Sequence, residues 1–416
     1  MRVLDRKGRE DLDPEALTAL EGAGVSFVGG PGYLGHIGRP DLLFLTPGMP
    51  KHAPEIEAAR RDGVRVTGEA SWVLEHYDGS VIGITGSSGK TTTTTLVGAL
   101  LQASGTDAVV AGNIGRPLVE ALDGSHPAWL VAELSSFQLE TATVSPTIAA
   151  LLNFAPNHLD VHPSLEDYYQ AKLNILRFQG PGDSAVLPFD DADLRLAQSA
   201  FGGRPMTFGG PAREEGAFEE GDDLTVRLDG ERHTVARASR LRMPGRHNRQ
   251  NVLAASLMAL IAGGRSEVFQ AVNEGFPGVP HRLERVAEKG GVLFINDSIA
   301  TAPDRTVAAL SAMERPVILL AGGYDKGLDY APLVPVLGGT RLVVAYGRTG
   351  PKVAAVARQA GVEVREADTL EEALDVAVAA AREGDAILLS PASASYDQFQ
   401  NFEARGEAFR RLVASI

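Results

Sequence analysis

The chain has no cysteine. That excludes disulfide frameworks, zinc–thiolate sites, iron–sulfur clusters and thiol catalysis. It also lacks any apolar run approaching ~18 residues, so no spanning helix is expected. The first residues, Met1-Arg2-Val3-Leu4-Asp5-Arg6-Lys7-Gly8, include basic side chains but no apolar stretch, and do not read as a signal peptide. Basic residues are in deficit: 39 Lys and Arg against 53 Asp and Glu give a formal net charge of −14. With no dense Lys/Arg block, neither nucleic acid nor a membrane is an expected partner. Any bound anion has to be held locally, by backbone N–H groups and a few placed cations. A cytoplasmic protein is the default expectation.

What is present points to packed domains. Hydrophobic residues make up 44% of 416 residues and charged residues 22%. At roughly 150 residues per domain, about three domains are expected. The 46 glycines and 24 prolines make the chain loop-rich, but are too few for a fibrous or disordered one. Short β-type runs alternate with helical patterns, which predicts an α/β architecture with mainly parallel sheets. Three blocks separate, 1–79, 80–277 and 278–416. The first offers strand candidates at 25–28, 42–45 and 64–66. The second opens on Val81-Ile82-Gly83-Ile84-Thr85, a short apolar run of buried-strand character, with similar runs at 129–133 and 147–153. Within it, 212–240 is rich in Glu, Gly and Asp. There Asp229-Gly230 between two β-type runs signals a hairpin, read as a small β excursion. The third block has strand candidates at 292–295, 317–320, 342–345 and 386–389. Its predicted helix over 369–382 has Thr369 and Glu372 placed as a capping box.

The most informative segment is Gly86-Ser87-Ser88-Gly89-Lys90-Thr91, between the strand at 81–85 and a helix from Thr92 onward. Strand, Gly-rich turn, Lys-Thr and helix form a phosphate cradle. Glycines let backbone N–H groups approach the phosphate oxygens, and the helix N-terminus adds positive charge. Lys90 would reach the β/γ-phosphates and the Thr91 hydroxyl would ligate Mg²⁺. The full eight-residue pattern is absent, because Ile84 stands where its first glycine would be. The competing reading is a Gly/Ser surface turn with a solvated lysine. Five threonines, 91–95, open the helix despite a propensity penalty that hydroxyls near phosphate would explain.

Other candidates are ambiguous by position alone. Glu133 ends the strand at 129–133, where an open parallel sheet binds ligands, and suits Mg²⁺. It serves equally as a carboxylate complementing a following helix dipole. His158, in Asn157-His158-Leu159-Asp160, has the look of an ordinary loop histidine. Lys172, in a helical pattern, reads by itself as a solvated helix lysine. His247, Asn248 and Asn251 precede an apolar helix over 252–262 and are candidate caps.

Several segments fit one family together. Thr85–Thr92, Gly112-Asn113-Ile114-Gly115, Glu133-Leu134-Ser135-Ser136-Phe137-Gln138-Leu139-Glu140 and Asn157–Asp160 come first. Gly245-Arg246-His247-Asn248-Arg249-Gln250-Asn251, Pro280-His281-Arg282 and Asn296-Asp297-Ser298 come next. Gly322-Gly323-Tyr324-Asp325-Lys326-Gly327 and the run Leu389–Gly406, with Asp397-Gln398-Phe399 and Asn401-Phe402-Glu403, complete the set. In this order, over nearly the whole chain, they resemble the Mur ligases, the ATP-dependent amino-acid-adding enzymes of peptidoglycan synthesis. The resemblance is strongest to the branch that adds D-glutamate to UDP-N-acetylmuramoyl-L-alanine.

The resemblance implies a three-domain α/β architecture: a Rossmann-like domain for the UDP substrate (1–79), a central P-loop ATPase (80–277) and a Rossmann-like domain for the amino acid (278–416). It implies ATP held by Gly86, Ser87, Ser88, Gly89, Lys90, Thr91 and Thr92, with Asn251 at the adenine and Arg282 and Asp297 reaching from the third domain. Two Mg²⁺ ions would be held by Thr91, Glu133, His158 and a carbamoylated Lys172. Lys90, Lys172 and His158 would be catalytic. Asn113 and Ser135 would meet the UDP substrate, and Thr301, Lys326, Ser395 and Phe402 the glutamate. A cytoplasmic monomer is implied. Ile299, Ser393 and Tyr396 stand where the family usually has Lys, Cys and Leu. The family's opening strand, Gly-rich loop and helix have no counterpart ahead of Arg2–Arg6, so the first domain is expected to look truncated. Rival readings are an L-glutamate-adding or folylpolyglutamate synthase-like ligase, a P-loop kinase or NTPase switch, and a non-catalytic nucleotide-binding module.

Overall fold

The computed structural model describes residues 1–46, 49–112, 116–124, 126–155, 164–243, 245–313 and 315–416. They form two compact units, Met1–Phe276 and Pro277–Ile416. In the first unit, strands β1 (Arg2–Asp5) and β2 (Ser26–Gly29) pair in parallel, as do β3 (Leu42–Leu45) and β4 (Arg65–Gly68), in two separate two-stranded sheets. Polar contacts join this N-terminal stretch to the remainder of the unit. Lys51 Nζ donates to the Phe137 carbonyl and pairs with Glu140. Ser71 and Thr143 hydroxyls lie 2.9 Å apart, and the Tyr77 hydroxyl donates to the Pro127 carbonyl at 2.6 Å.

The main sheet of the first unit contains β5 (Ser80–Thr85), β6 (Ala108–Gly112), β7 (Trp129–Glu133), β8 (Ile148–Leu151), β9 (Ser184–Pro188), β10 (Arg204–Phe208), β11 (Gly216–Glu220), β12 (Asp223–Leu228) and β13 (Glu231–Arg237). Their order is β13-β12-β11-β10-β9-β8-β5-β7-β6. From β6 to β11 neighbours run parallel, and β11–β12 and β12–β13 are antiparallel. Alternation along the strands feeds two cores. Ile82, Ile84 and Val131 pack with Leu96, Val97 and Leu100 of the Lys90–Ala103 helix and with Leu253 and Leu257 of the Arg246–Ile261 helix. Val81, Leu130 and Ala132 face the other way, toward Leu173 and Leu176 of the Leu165–Arg177 helix. Both faces are covered, which is why these strands read as continuous apolar runs.

The Glu-rich stretch around 212–240, read as a small β excursion within the second block, is a strand and a hairpin that extend the main sheet. Its hairpin turns at Asp229-Gly230, both at positive φ (51° and 84°), yet β11 joins β10 and continues the main sheet. Leu224, Val226 and Val235 point into the first core, so the hairpin is built on one apolar face.

The second unit is a six-stranded sheet of β14 (Glu284–Lys289), β15 (Val292–Asn296), β16 (Val317–Gly322), β17 (Thr340–Tyr346), β18 (Val364–Ala367) and β19 (Ala386–Leu389), ordered β14-β15-β19-β16-β17-β18. Only the β14–β15 pair is antiparallel. Leu319 and Ala321 serve one core, Ile318 and Leu320 the other. The Leu370–Ala380 helix forms as expected, with the Thr369 side chain accepting from the Glu372 N–H at 3.2 Å. The box does not close on itself, because the Glu372 carboxylate takes the Asp368 N–H instead (2.9 Å). Among the described residues no helix is long and apolar enough to cross a membrane.

Arg405, in the Phe402–Ser415 helix, is wholly buried. Its guanidinium donates to the Ser298 hydroxyl (2.9 Å) and carbonyl (2.9 Å), and to the carbonyls of Ser393 (3.0 Å) and Ala394 (3.1 Å). It thereby joins the loop after β15 to the loop after β19. Arg405→Met removes four donated hydrogen bonds from this buried junction, of whose acceptors the Ala394 carbonyl keeps the Tyr324 N–H, and should cost about 3 kcal/mol or more. Urea unfolding of the second unit measures this; a loss below about 0.5 kcal/mol would contradict the role.

Candidate active site

The loop after β5 is built to leave backbone exposed to a ligand. Gly89 has φ +79°, and a Cβ there would lie 2.5 Å from the Asn251 side-chain oxygen. Left-handed backbone and a close neighbour together require glycine. The loop is pinned to the end of β8 by Asn153. Its backbone carbonyl accepts from Ser87 N–H (3.1 Å), its side-chain oxygen accepts from Ser88 N–H (2.9 Å), and its amide donates back to the Ser88 carbonyl (3.1 Å). The Ser87 hydroxyl donates to the Ala155 carbonyl and lies 3.1 Å from the Tyr168 hydroxyl. No side chain caps the Lys90–Ala103 helix, whose N-cap is Gly89. The positive end of a four-turn helix therefore meets the loop directly, as an anion site requires.

Two lysines converge on one carbonyl. Lys90 Nζ donates to the Gly86 carbonyl at 2.8 Å and Lys172 Nζ to the same oxygen at 3.0 Å. The reading of Lys172 as a solvated helix lysine is overturned: it is only 2% exposed and its Nζ stands 4.7 Å above the Tyr168 ring. Burial, and secondarily the Lys90 charge, push its ammonium down from 10.5 to about 7. At neutral pH a large fraction of Lys172 is therefore the free amine, the nucleophilic form.

Glu133 is buried at the end of β7 and in register with Ile84 of β5. The helix-dipole reading loses its geometry, since the cap of the short Ser136–Leu139 helix is Ser135, and Glu133 still belongs to the strand. Ser135 and Gln138 form a reciprocal capping box, with Ser135 N–H donating to the Gln138 side-chain oxygen at 2.9 Å. Thr91 is buried, and the buried Thr85 hydroxyl at the end of β5 has no hydrogen-bond partner among the described residues. Thr91 hydroxyl and Glu133 carboxylate are hard oxygen donors of the kind Mg²⁺ prefers. A lysine amine does not fit that set, whereas a carbamate does. No cluster of three His, Asp or Glu side chains forms a metal site among the described residues. Asn113 and His158 lie outside the described residues.

The capping reading of His247, Asn248 and Asn251 is also corrected. The helix already starts at Arg246, behind Gly245. Asn251 is buried within it and accepts from the Thr93 hydroxyl at 3.3 Å, closing over Gly89. Asn153 and Tyr168 were not among the expected site residues.

In the second unit the candidates fall into two groups. Arg282 lies between two residues in left-handed backbone, His281 (φ 63°) and Leu283 (φ 43°). That turn is held by Leu283 N–H donating to Asp297 (3.2 Å) and His281 N–H donating to Glu284 (2.9 Å). Asp297 is buried and also accepts from the Ser390 hydroxyl at 2.8 Å; burial pushes its carboxyl up to about 6. Phe402 joins this group, its carbonyl accepting from the Ser298 hydroxyl at 2.8 Å. The second group is Lys326 and Ser395, brought together because Tyr324 N–H donates to the Ala394 carbonyl at 2.8 Å. Thr301 is half-buried, and its N–H donates to the Ile299 carbonyl.

Comparison with known proteins places this arrangement. Residues 84–259 match the Mur ligase middle domain, and residues 281–393 the Mur ligase glutamate ligase domain. The chain belongs to the Mur ligase family. Curated members similar to it include the UDP-N-acetylmuramoylalanine–D-glutamate ligase of Symbiobacterium thermophilum, 43% identical over 99% of this chain and 92% of that protein. That of Geobacillus kaustophilus is 42% identical over 95% and 88%. Among solved structures, the UDP-N-acetylmuramoylalanyl-D-glutamyl-2,6-diaminopimelate–D-alanyl-D-alanyl ligase of Acinetobacter baumannii matches with TM-score 0.59 at 19% identity over 99% of this chain and 89% of that one. The MurC ligase of Thermotoga maritima matches with TM-score 0.55 at 20% identity over 97% and 92%. These structural likenesses concern the family's fold.

The lowered Lys172 ammonium has a stability consequence. Between about pH 7 and 10.5 the unfolded chain holds a proton at this lysine that the folded chain has lost. Stability from this group therefore rises with pH across that window and is absent below it. In metal-free protein without bicarbonate, Lys172→Met should abolish that rise and be relatively more stable below pH 7. Urea unfolding at a series of pH values reads it; an unchanged slope in the variant would contradict the buried-amine account.

Proposed function

We propose that this protein is an ATP-dependent ligase that joins D-glutamate to the alanine carboxylate of UDP-N-acetylmuramoyl-L-alanine, in the making of peptidoglycan precursors. The observation that carries this reading is full-length similarity, at about two residues in five, to curated ligases of that name. The P-loop geometry supports it. A carboxylate is inert to amines, so ATP must first convert it to an acyl phosphate, which the glutamate amine then attacks with release of phosphate.

The chain's own groups do the positioning. Backbone N–H groups of 86–89 and the Lys90–Ala103 helix N-terminus hold the phosphates, and Lys90 swings from the Gly86 carbonyl onto the transferring group. Mg²⁺, when bound, neutralises charge on the phosphate oxygens, and Thr91, Glu133, His158 and modified Lys172 are the residues that would hold two such ions. The Lys172 amine supports that modification: its nitrogen adds to CO₂, a C–N bond forms, and a proton leaves to solvent. Asn251, Arg282 and Asp297 are the further residues that the family resemblance assigns to ATP. Asn113 and Ser135 would meet the UDP substrate, and Thr301, Lys326, Ser395 and Phe402 the amino acid. The division of labour is 1–79 for the UDP substrate, 80–277 for ATP and 278–416 for the amino acid. The protein works as a monomer in the cytoplasm, where ATP and UDP-linked precursors are found.

The test offers UDP-N-acetylmuramoyl-L-alanine and ATP with either D- or L-glutamate, and reads phosphate release. Release that requires D-glutamate is expected. Faster release with L-glutamate would move the reading to an L-glutamate-adding ligase, which Ile299 and Tyr396 make the specific alternative. Release independent of any amino acid would overturn it.

A further inference from the structure

At the carboxyl ends of β16, β17 and β19, two tyrosines and two cations form a continuous row. Lys326 Nζ stands 5.4 Å from the centre of the Tyr396 ring. Tyr396 meets Tyr324 edge-on at 5.9 Å, and the Arg348 guanidinium stands 5.9 Å from the Tyr324 ring. The backbone fixes the row: Tyr324 is bridged to Ala394, and Arg348 N–H donates to the Asp397 carboxylate at 3.3 Å. Tyr396 is 60% exposed, an unusual state for a large aromatic immediately after a buried serine, Ser395. The nearby Asp325 carboxylate is taken by Lys352 at 2.7 Å. Among the described residues neither Lys326 nor Arg348 is in an ion pair. Two cations without carboxylate partners, steadied on ring faces at the ligand-binding edge of a parallel sheet, form a receptor for an anion with two separated negative groups.

We propose that Tyr396 is a specificity-determining residue for the amino-acid substrate. Its ring holds Lys326 in place, and Tyr324 holds Arg348, so that the pair selects a dicarboxylic amino acid over a neutral analogue of the same shape. This rests on the reading of the second unit as the amino-acid-binding part. Tyr396 stands where the family usually has leucine, so this chain fixes its lysine with a ring that leucine cannot supply.

The experiment compares wild type, Tyr396→Leu and Tyr396→Phe with D-glutamate and with D-glutamine, the neutral isostere, reading kcat/KM for each and KM for ATP. Because Tyr396 is exposed, neither substitution opens a core. Tyr396→Leu should raise KM for D-glutamate and lower glutamate-over-glutamine discrimination by about three- to fivefold, the worth of an exposed cation–ring contact. Its KM for ATP should be unchanged. Tyr396→Phe, which keeps the ring, should behave as wild type. Unchanged discrimination in Tyr396→Leu, or an equal loss in Tyr396→Phe, overturns the proposal while normal wild-type turnover leaves the ligase reading intact. Wild-type phosphate release that ignores glutamate would overturn both.

Discussion

The site depends on one carbonyl. The Gly86 oxygen accepts from both Lys90 and Lys172, so two like charges meet in a buried place at the end of β5. Coulomb repulsion and burial act in the same direction, and the group that yields is Lys172, which is the more enclosed. The Lys172 side chain thereby becomes an amine open to chemistry beside the proposed phosphate loop.

The fold supplies this convergence by stacking elements from distant parts of the sequence. β5 lies between β7 and β8, so the loop after β5, Glu133 at the end of β7 and Asn153 after β8 share one edge. The Leu165–Arg177 helix covers one face and delivers Lys172. The Arg246–Ile261 helix covers the other and delivers Asn251. In the second unit Arg405 performs a comparable service, tying the loop that contains Asp297 and Ser298 to the loop that leads into Ser395.

Much of this was legible in the residues because local signals agreed. The strand at 81–85, the Gly-rich turn and Lys90-Thr91 needed no tertiary information, since each element's pattern determines the next. Taken by itself Lys172 reads as a solvated lysine only if its charge is weighed before its position. Tyr168, Lys172, Ile175 and Leu176 fall on one helical stripe, and a lysine on an apolar stripe is a buried lysine. Arg405 carried the same signal beside Phe402, Phe409 and Val413. Asn251 and Glu372 escaped for another reason. Each has a capping residue's chemistry, and which donor it meets depends on whether the helix starts one turn earlier or on a neighbour one residue away. The stretch after Pro211 was judged by its surface charges, although Leu224, Val226 and Val235 already marked the face that continues the sheet.

The central proposal is that burial lowers the Lys172 ammonium so that its free amine can be carbamoylated. Carbon-13 NMR of the protein in labelled bicarbonate tests it most directly, with Lys172→Ala as the control. The account predicts a carbamate resonance in the wild type that strengthens with Mg²⁺ and ATP and vanishes in the variant. No such resonance, together with a Lys172 amine that titrates at its ordinary 10.5, would contradict it.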